Sequence, residues 1–199
     1  MRFALIGRHG QQKPASGDKT LWVRTAPLDI DKIPELMRAR QFHKLGEYKI
    51  IEVFSSGLPR AYQTAEIMAQ GHWPRIADEL SPFGVFAEEA WNQFVKDGRP
   101  IGLEEMFAAN PDFFGEVAVT GARFVRLRMR ETPDGCAKMF MTHQPIAEVV
   151  SAELLTESTA TLPFIFDKGD ILVIPFDGSG HVAGEPKILK AADALKAAA

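Results

Sequence analysis

The chain has 199 residues, of which 46% are hydrophobic and 25% are charged, and its formal net charge at pH 7 is −3. This length suits one compact domain over residues 1–199, and the composition argues against a disordered chain. The net charge excludes a general nucleic-acid-binding protein, which should carry a basic excess. It is compatible with a small anionic ligand, because a pocket of a few arginines barely changes the total.

The single cysteine, Cys136, excludes an intramolecular disulfide, so the chain is unlike the disulfide-rich domains of secreted proteins. The first residues lack the basic and then apolar pattern of a secretory signal. No apolar run reaches the ~18 residues that cross a membrane. We therefore expect a cytoplasmic protein that does not bind membranes, and the sequence leaves its oligomeric state open.

Strands and helices alternate along the first part of the chain. In chain order, the pattern predicts a strand over 2–7, a helix over 29–45, a strand over 49–56, a helix over 58–70 and a short strand over 75–80. The apolar face of the first helix comprises Ile30, Ile33, Leu36 and Met37. For the second helix, Ser56 is a candidate N-cap, and Pro59 suits the first turn.

The remaining elements follow a less regular segment, 81–130, whose helical patterns are interrupted by glycine and proline. We interpret this segment as a helical insertion or a lid over the sheet. Beyond it the pattern predicts a strand over 137–142, a helix over 145–155 and a hairpin of 170–176 with 181–184. The last residues, 190–199, are a terminal helix or a frayed tail. This order implies an α/β three-layer sandwich with a mostly parallel central sheet, an antiparallel edge and helices on both faces.

Three predicted strands are each followed by residues suited to chemistry. Arg8 and His9 end the first, Arg60 lies one turn into the helix after the second, and His143 follows the third. Because open α/β sheets bind ligands beyond the carboxyl ends of their parallel strands, we expect these four side chains to meet there. Arginines and helix N-termini favour an oxyanion such as phosphate, and a neutral histidine is a competent nucleophile towards phosphorus.

These residues resemble the motifs of the histidine phosphatase, or phosphoglycerate mutase-like, superfamily. "GRHG" resembles the Arg-His-Gly that ends the first strand of that family, "SGLPRAYQTA" its second motif, and "MFMTHQP" its late histidine after an apolar strand. The three motifs occur in the family's order. Their style is closest to the small bacterial phosphohistidine phosphatase-like members. We also expect Gly7 and Gly10 to let the backbone turn beside the histidine.

The resemblance implies a phosphatase that hydrolyses a phosphomonoester or phosphoramidate, on a small substrate or a phosphoprotein, without a metal or other cofactor. His9 would be the nucleophile that takes the phosphoryl group. Arg8, Arg60 and His143 would bind its oxygens and stabilise the transition state. Gln144 stands where glycine is common in the family and is a candidate for contacting the phosphate or the leaving group.

The general acid is the part of the family pattern that this sequence lacks. Many relatives carry a glutamate after a short strand in the region that here reads "IADELSPFG", where Pro82 takes the usual position. Glu88 is our candidate substitute and Glu89 the fallback, whereas Glu79 would point to the opposite face of a strand. A good leaving group, such as the imidazole of a phosphohistidine, needs little help from an acid.

Two other functions fit the same motifs. A phosphoglycerate mutase-type phosphoryl transfer would need further substrate-binding residues soon after "RHG", commonly an asparagine, and this sequence has none there. A catalytically weak phosphate-binding protein is favoured by the missing glutamate. The presence of all four core residues argues against it, so we favour a hydrolase.

Overall fold

A computed structural model describes residues 1–14, 25–81, 110–156 and 166–197, together with the backbone of 95–96 and 99–100 and the single residues 105 and 108. The candidate acids Glu88 and Glu89 lie outside the described residues. So do Pro82 and most of the segment between it and Asn110.

A six-stranded mixed sheet lies at the centre of the molecule. The strands, in chain order, are β1 (Arg2–Arg8), β2 (Lys49–Ser55), β3 (Arg75–Ile76), β4 (Val95–Lys96), β5 (Arg99–Pro100), β6 (Cys136–Thr142), β7 (Ile171–Phe176) and β8 (Lys187–Leu189). The order in the central sheet is β3-β2-β6-β1-β7-β8, while β4 and β5 pair separately. The first four strands of this order run parallel to one another, and the last two pairings, of β1 with β7 and of β7 with β8, are antiparallel, which confirms the predicted fold class.

Helices cover both faces of the sheet. They are α1 (Ile33–Phe42), α2 (Pro59–Met68), α3 (Pro111–Arg130), α4 (Ile146–Leu155) and α5 (Ala191–Lys196). Alternate residues of β1 serve the two layers: Ala4 and Ile6 belong to the cluster with α3 and α4, and Leu5 belongs to the cluster with α1 and α2. Within the described ranges, no helix has the length and apolar character needed to cross a bilayer.

Two predicted strands are shorter than the sequence pattern indicates. The strand predicted over 75–80 ends at Ile76 and is followed by a 3-10 turn over Asp78–Leu80. The predicted hairpin contributes only the single bridge between Phe176 and Val182, and the edge strand paired with β7 is Lys187–Leu189 instead. In both places the backbone leaves the sheet after one or two pairs, which periodicity alone does not reveal.

Two details predicted for the helices are wrong. Ser56 does not cap α2, because the helix begins at Pro59 and Leu58 takes the cap position without a side-chain hydrogen bond. The Ser56 N–H instead donates to the Met141 carbonyl and continues the pairing of β2 with β6. Pro59 does open the helix. Ile30 and Met37 are 74% and 51% exposed; α1 begins only at Ile33, so Ile30 precedes it and does not share its buried face.

The described end of the segment 81–130 is a helix of the core. The side chain of Asn110 caps α3 by accepting from the Phe113 N–H at 3.3 Å, and Phe114 and Val125 are fully buried. At Gly121 a Cβ atom would lie 2.4 Å from Val150 Cγ2, so the glycine allows α3 and α4 to approach closely. The lid therefore stays a prediction for the residues before Asn110.

Candidate active site

The carboxyl ends of β1 and β6 place the first candidate residues next to one another. The backbone N–H of His9 donates to the Thr142 carbonyl at 2.9 Å, and that of Arg8 donates to the Asp170 carbonyl at 3.1 Å. His143 follows Thr142 directly, so both histidines leave the sheet at the same edge. Both side chains are buried.

The hydrogen bonds of His9 define its tautomer. Nδ1 lies 2.7 Å from the carbonyl oxygen of Gly10, which can only accept, so Nδ1 carries the proton. Nε2 of the neutral ring then has a lone pair, and the Nε–H of Arg60 donates to it at 3.1 Å. The ring thus presents an unprotonated Nε2 to the side of the site where the Arg60 guanidinium lies.

The second motif joins α2 to the end of β1. The Thr64 hydroxyl donates to the Arg60 carbonyl at 2.7 Å and accepts from the Gly10 N–H at 2.9 Å. Gln63 Oε1 accepts from the Leu28 N–H at 2.7 Å and so connects the loop after β1 to α2. Thr64 thus links the backbone of Arg60 to the residue after His9, and Gln63 fixes the loop beyond it, roles that sequence reasoning did not assign to them.

The loop before β7 closes the other side of the site. Gly169 has a φ of +86°, which favours glycine, and its N–H donates to the carbonyls of Arg8 at 3.2 Å and His9 at 3.3 Å. The Phe166 carbonyl accepts a short hydrogen bond from Arg8 Nη1. Asp170 is fixed in turn by an ion pair with Lys190 at 2.8 Å. The loop therefore orients Arg8 through its backbone.

Gly7 and Gly10 serve close packing instead of the predicted turn. Neither is among the described glycines with a positive φ. A Cβ atom on Gly7 would lie 2.8 Å from Met141 Cε, and one on Gly10 would lie 2.8 Å from Leu36 Cδ1. A side chain at Gly7 would force the end of the Met141 side chain to move, and one at Gly10 would force the ends of Leu28 and Leu36 to move.

Burial and the neighbouring guanidiniums determine the charges of His9, Arg60 and His143. Burial, then the nearby Arg60 and Arg8 guanidiniums, lower the pKa of His143 to about 3. Burial and Arg60 also hold the pKa of His9 well below its usual range. Burial, with Arg8, lowers the pKa of Arg60 to about 10, so it stays cationic at neutral pH. Two neutral imidazoles beside two guanidiniums make a buried site of net positive charge, which favours an anion.

The low pKa of His143 predicts a loss of stability in acid. Its pKa in the folded protein, about 3, lies below the ordinary 6.5. The stability that the neutral imidazole contributes is therefore complete above pH 6.5 and declines as the pH falls towards 3. From neutral pH to about pH 5 the wild type should lose about 2 kcal/mol relative to His143→Gln, because only the unfolded wild type gains the proton. Urea unfolding of both proteins at the two pH values measures this difference.

The exposed His181 supplies the control for that comparison, since His181→Gln removes an imidazole without removing a buried one. An identical pH dependence of stability for the wild type and His143→Gln would contradict a neutral, buried His143.

The remaining candidates lie as follows. Gln144 is partly exposed, directly after His143, and its peptide bond to Pro145 is cis. Glu79 lies exposed on the 3-10 turn Asp78–Leu80. Glu88 falls outside the described residues. In the described part of the chain, no group of three or more histidine, cysteine or acidic side chains is arranged to hold a metal ion.

Sequence reasoning missed two ionisable groups beside the site. Lys168 donates to Gln11 Oε1 at 2.9 Å, and burial together with Arg8 and Arg60 lowers its pKa, so a third cation faces the same space. Glu148, on the first turn of α4, is buried behind Arg8. The start of β7 could have indicated Lys168, because the strand is antiparallel to β1 and the loop before it must meet the end of β1.

Comparison with solved structures identifies the fold. No family model and no curated protein matches the sequence. The structure of the protein histidine phosphatase SixA complexed with tungstate matches with a TM-score of 0.59 and 16% identity over 96% of this chain and 98% of that one. Phosphoserine phosphatase from Entamoeba histolytica, in complex with 3-phosphoglyceric acid, matches with a TM-score of 0.60 and 18% identity over 94% and 95% of the two chains.

A phosphoglycerate mutase from Bacillus anthracis matches with a TM-score of 0.65 and 15% identity, over 99% of this chain and 96% of that one. The chain therefore has the fold of these solved structures, as the motifs predict, and these structures are of two phosphatases and a phosphoglycerate mutase.

Proposed function

We propose that this protein is a phosphatase that hydrolyses a phosphomonoester or phosphoramidate through a phosphohistidine formed on His9. The observation that carries the proposal is the state of the His9 ring: it is buried and neutral, it holds its proton on Nδ1, and its Nε2 lies 3.1 Å from the Arg60 guanidinium. An unprotonated imidazole nitrogen beside a cation is what nucleophilic attack on a phosphoryl group requires.

Substrate binding places the phosphoryl group between the cationic side chains. Its oxygens accept hydrogen bonds from Arg8 and Arg60, and this competition releases the Nε–H of Arg60 from the lone pair of His9 Nε2. Neutral His143 and the partly exposed Gln144 are the other groups that we assign to the phosphate. Lys168 adds positive charge at the rim of the same site.

The first chemical step is an in-line displacement. The lone pair of His9 Nε2 forms a bond to phosphorus while the bond from phosphorus to the leaving oxygen or nitrogen breaks and its electron pair goes to the leaving group. Arg8 and Arg60 stabilise the negative charge on the equatorial oxygens. Nδ1–H keeps its hydrogen bond to the Gly10 carbonyl, which stabilises the positive charge that develops on the ring.

The second step returns the enzyme to its starting state. Water attacks phosphorus and gives one proton to the carboxylate that protonated the leaving group, the P–N bond breaks with its electron pair returning to Nε2, and inorganic phosphate leaves. Glu88 remains our candidate for protonating the leaving group in the first step. A phosphorylated small molecule or a phosphoprotein is the proposed substrate, and no metal or cofactor takes part.

Hydrolysis of p-nitrophenyl phosphate tests the proposal directly. The leaving group is good, so turnover should be measurable without an efficient general acid from about pH 4 to about pH 8. Rapid quenching of the reaction without acid should trap a phosphoenzyme. Its phosphoryl group should be labile in acid and stable in base, as that of a phosphohistidine is. Phosphate binding without turnover at any pH would contradict the phosphatase and support a binding protein.

The mutase is separated from the phosphatase by its cofactor requirement. If the protein were a mutase, transfer would depend on an added bisphosphorylated compound, whereas the proposed hydrolysis proceeds without one. A strict dependence of turnover on that compound would overturn the assignment as a hydrolase.

A further inference from the structure

Glu148 is a buried carboxyl group behind the site that the proposed chemistry does not use. It is 6% exposed and lies on the first turn of α4. Its Oε1 accepts from the Phe166 N–H at 3.2 Å, and the carbonyl of the same Phe166 accepts from Arg8 Nη1. One residue of the loop before β7 thus connects Glu148 to Arg8 through its two backbone groups.

Glu148 and Arg8 also carry polar atoms that remain buried within the protein. Glu148 Oε2 and Arg8 Nε have no hydrogen-bond partner among the described residues. The two side chains attract each other, since each shifts the pKa of the other towards its charged form. A carboxyl group so placed competes with any anion that approaches Arg8 from the active-site side.

We propose that Glu148 is a positioning residue that controls how tightly Arg8 binds the phosphoryl group, by holding the Phe166 peptide and by opposing the charge of Arg8 when it is ionised. The proposal rests on the proposed function only in taking phosphate as the anion that Arg8 binds. It assigns Glu148 no contact with the substrate.

The protonation behaviour of Glu148 supports a role at neutral pH. Burial raises its pKa to about 7, although Arg8 and the Phe166 N–H act in the opposite direction. The protonated form leaves the charge of Arg8 available to phosphate, and the ionised form reduces it. Phosphate affinity should therefore decline through this group as the pH rises past neutrality.

Of the carboxylates that act on Arg8, Glu148 acts most strongly. In the loop before β7, Asp167 and Asp170 act on Arg8, and Asp170 is held by Lys190. On α3, Arg126 donates to the Glu153 carbonyl, further along α4. His143, just before α4, stays neutral in the relevant range.

Phosphate binding by Glu148→Gln, measured by calorimetry with inorganic phosphate, tests the proposal without requiring turnover. Glutamine keeps an acceptor for the Phe166 N–H but cannot ionise. The ratio of mutant to wild-type affinity should be close to one at about pH 5.5 and rise to about tenfold at about pH 8.5, which corresponds to phosphate raising the pKa of Glu148 by about one unit. Ionisation of phosphate itself cancels in this ratio.

One further variant separates the effect of the Glu148 charge from that of its hydrogen bond with the Phe166 N–H, and a second is a control. Glu148→Leu removes the acceptor, so it should bind phosphate less tightly than Glu148→Gln at both pH values. Glu153→Gln, which removes a partly exposed carboxylate from the same helix, should match the wild type.

The outcomes distinguish the two proposals. A ratio for Glu148→Gln that does not change with pH would overturn the role of Glu148 while leaving the phosphatase intact. Absence of phosphate binding by the wild type would overturn both. The test stands on Glu148→Gln alone if Glu148→Leu does not fold.

Discussion

Replacement of His9 by alanine is expected to abolish phosphoenzyme formation. It should also reduce turnover by a factor on the order of 10⁶, which is the loss that follows removal of a covalent nucleophile in other enzymes. The reason is that His9 Nε2 is the atom that bonds to phosphorus. Phosphate binding should persist, because Arg8, Arg60 and His143 remain. Steady-state kinetics with p-nitrophenyl phosphate, trapping of the phosphoenzyme and calorimetry with inorganic phosphate measure the three quantities separately.

A substitution at another histidine provides the control for that result. His181 is exposed, so His181→Ala should keep full activity and the same yield of phosphoenzyme. Circular dichroism of His9→Ala must show the wild-type fold for the comparison to hold. Full activity in a folded His9→Ala protein would contradict the mechanism at its first step, whatever the substrate.

The sequence was sufficient to predict that the candidate residues share one edge of the sheet. Arg8, His9 and His143 each stand directly at a strand end, and the parallel pairing of β1 with β6 forces those ends together. Arg60 follows β2, the next parallel neighbour, as the second residue of α2. Each of these positions depends on a short stretch of sequence, a strand and the residues that follow it, so a single sequence is enough to predict them.

Contacts between distant parts of the chain were not predictable in the same way. The anchor of Arg8 is a carbonyl 158 positions away, and nothing near Phe166 in the sequence indicates that its peptide faces β1. Glu148 lies within an apolar helical pattern, where a single glutamate is ordinarily solvent-exposed. Its burial depends on how α4 packs against the sheet and the loop before β7.

The glycines of "GRHG" also have neighbours that the sequence pattern does not reveal. A glycine beside a functional residue suggests a backbone turn, but the space around Gly7 is filled by Met141, from the neighbouring strand β6. What a side chain at Gly7 would meet is therefore set by strand-to-strand packing and not by a turn. That neighbour could be named only once the register of β1 against β6 was known.

Arg60→Ala is expected to reduce turnover by about 10²–10³, or about 2.7–4 kcal/mol of transition-state stabilisation, which is the loss seen when one oxyanion donor is removed. Arg60 has two functions in the proposed chemistry: its guanidinium binds the phosphoryl oxygens, and its Nε–H is directed at His9 Nε2. Arg60→Ala removes both functions, because both depend on the guanidinium group. The loss should appear mainly in kcat, because the charge on the oxygens develops most fully in the transition state.

Arg60→Lys separates charge from geometry. Lysine restores a cation but lacks the planar fork and the Nε–H, so its activity should lie between those of the alanine variant and the wild type. Arg38→Ala is the matched control, since Arg38 is an exposed arginine on α1 and its loss should leave turnover unchanged.

The protonation of His9 provides a readout that a purely structural role for Arg60 would not give. Arg60 is, after burial, the largest influence that lowers the pKa of His9, so removing its charge should raise that pKa. NMR titration of the His9 ring in the wild type, Arg60→Lys and Arg60→Ala should show the rise chiefly in the alanine variant. An unchanged His9 titration together with unchanged turnover would exclude Arg60 from the site. An unchanged titration with reduced turnover would confine its role to the phosphate oxygens.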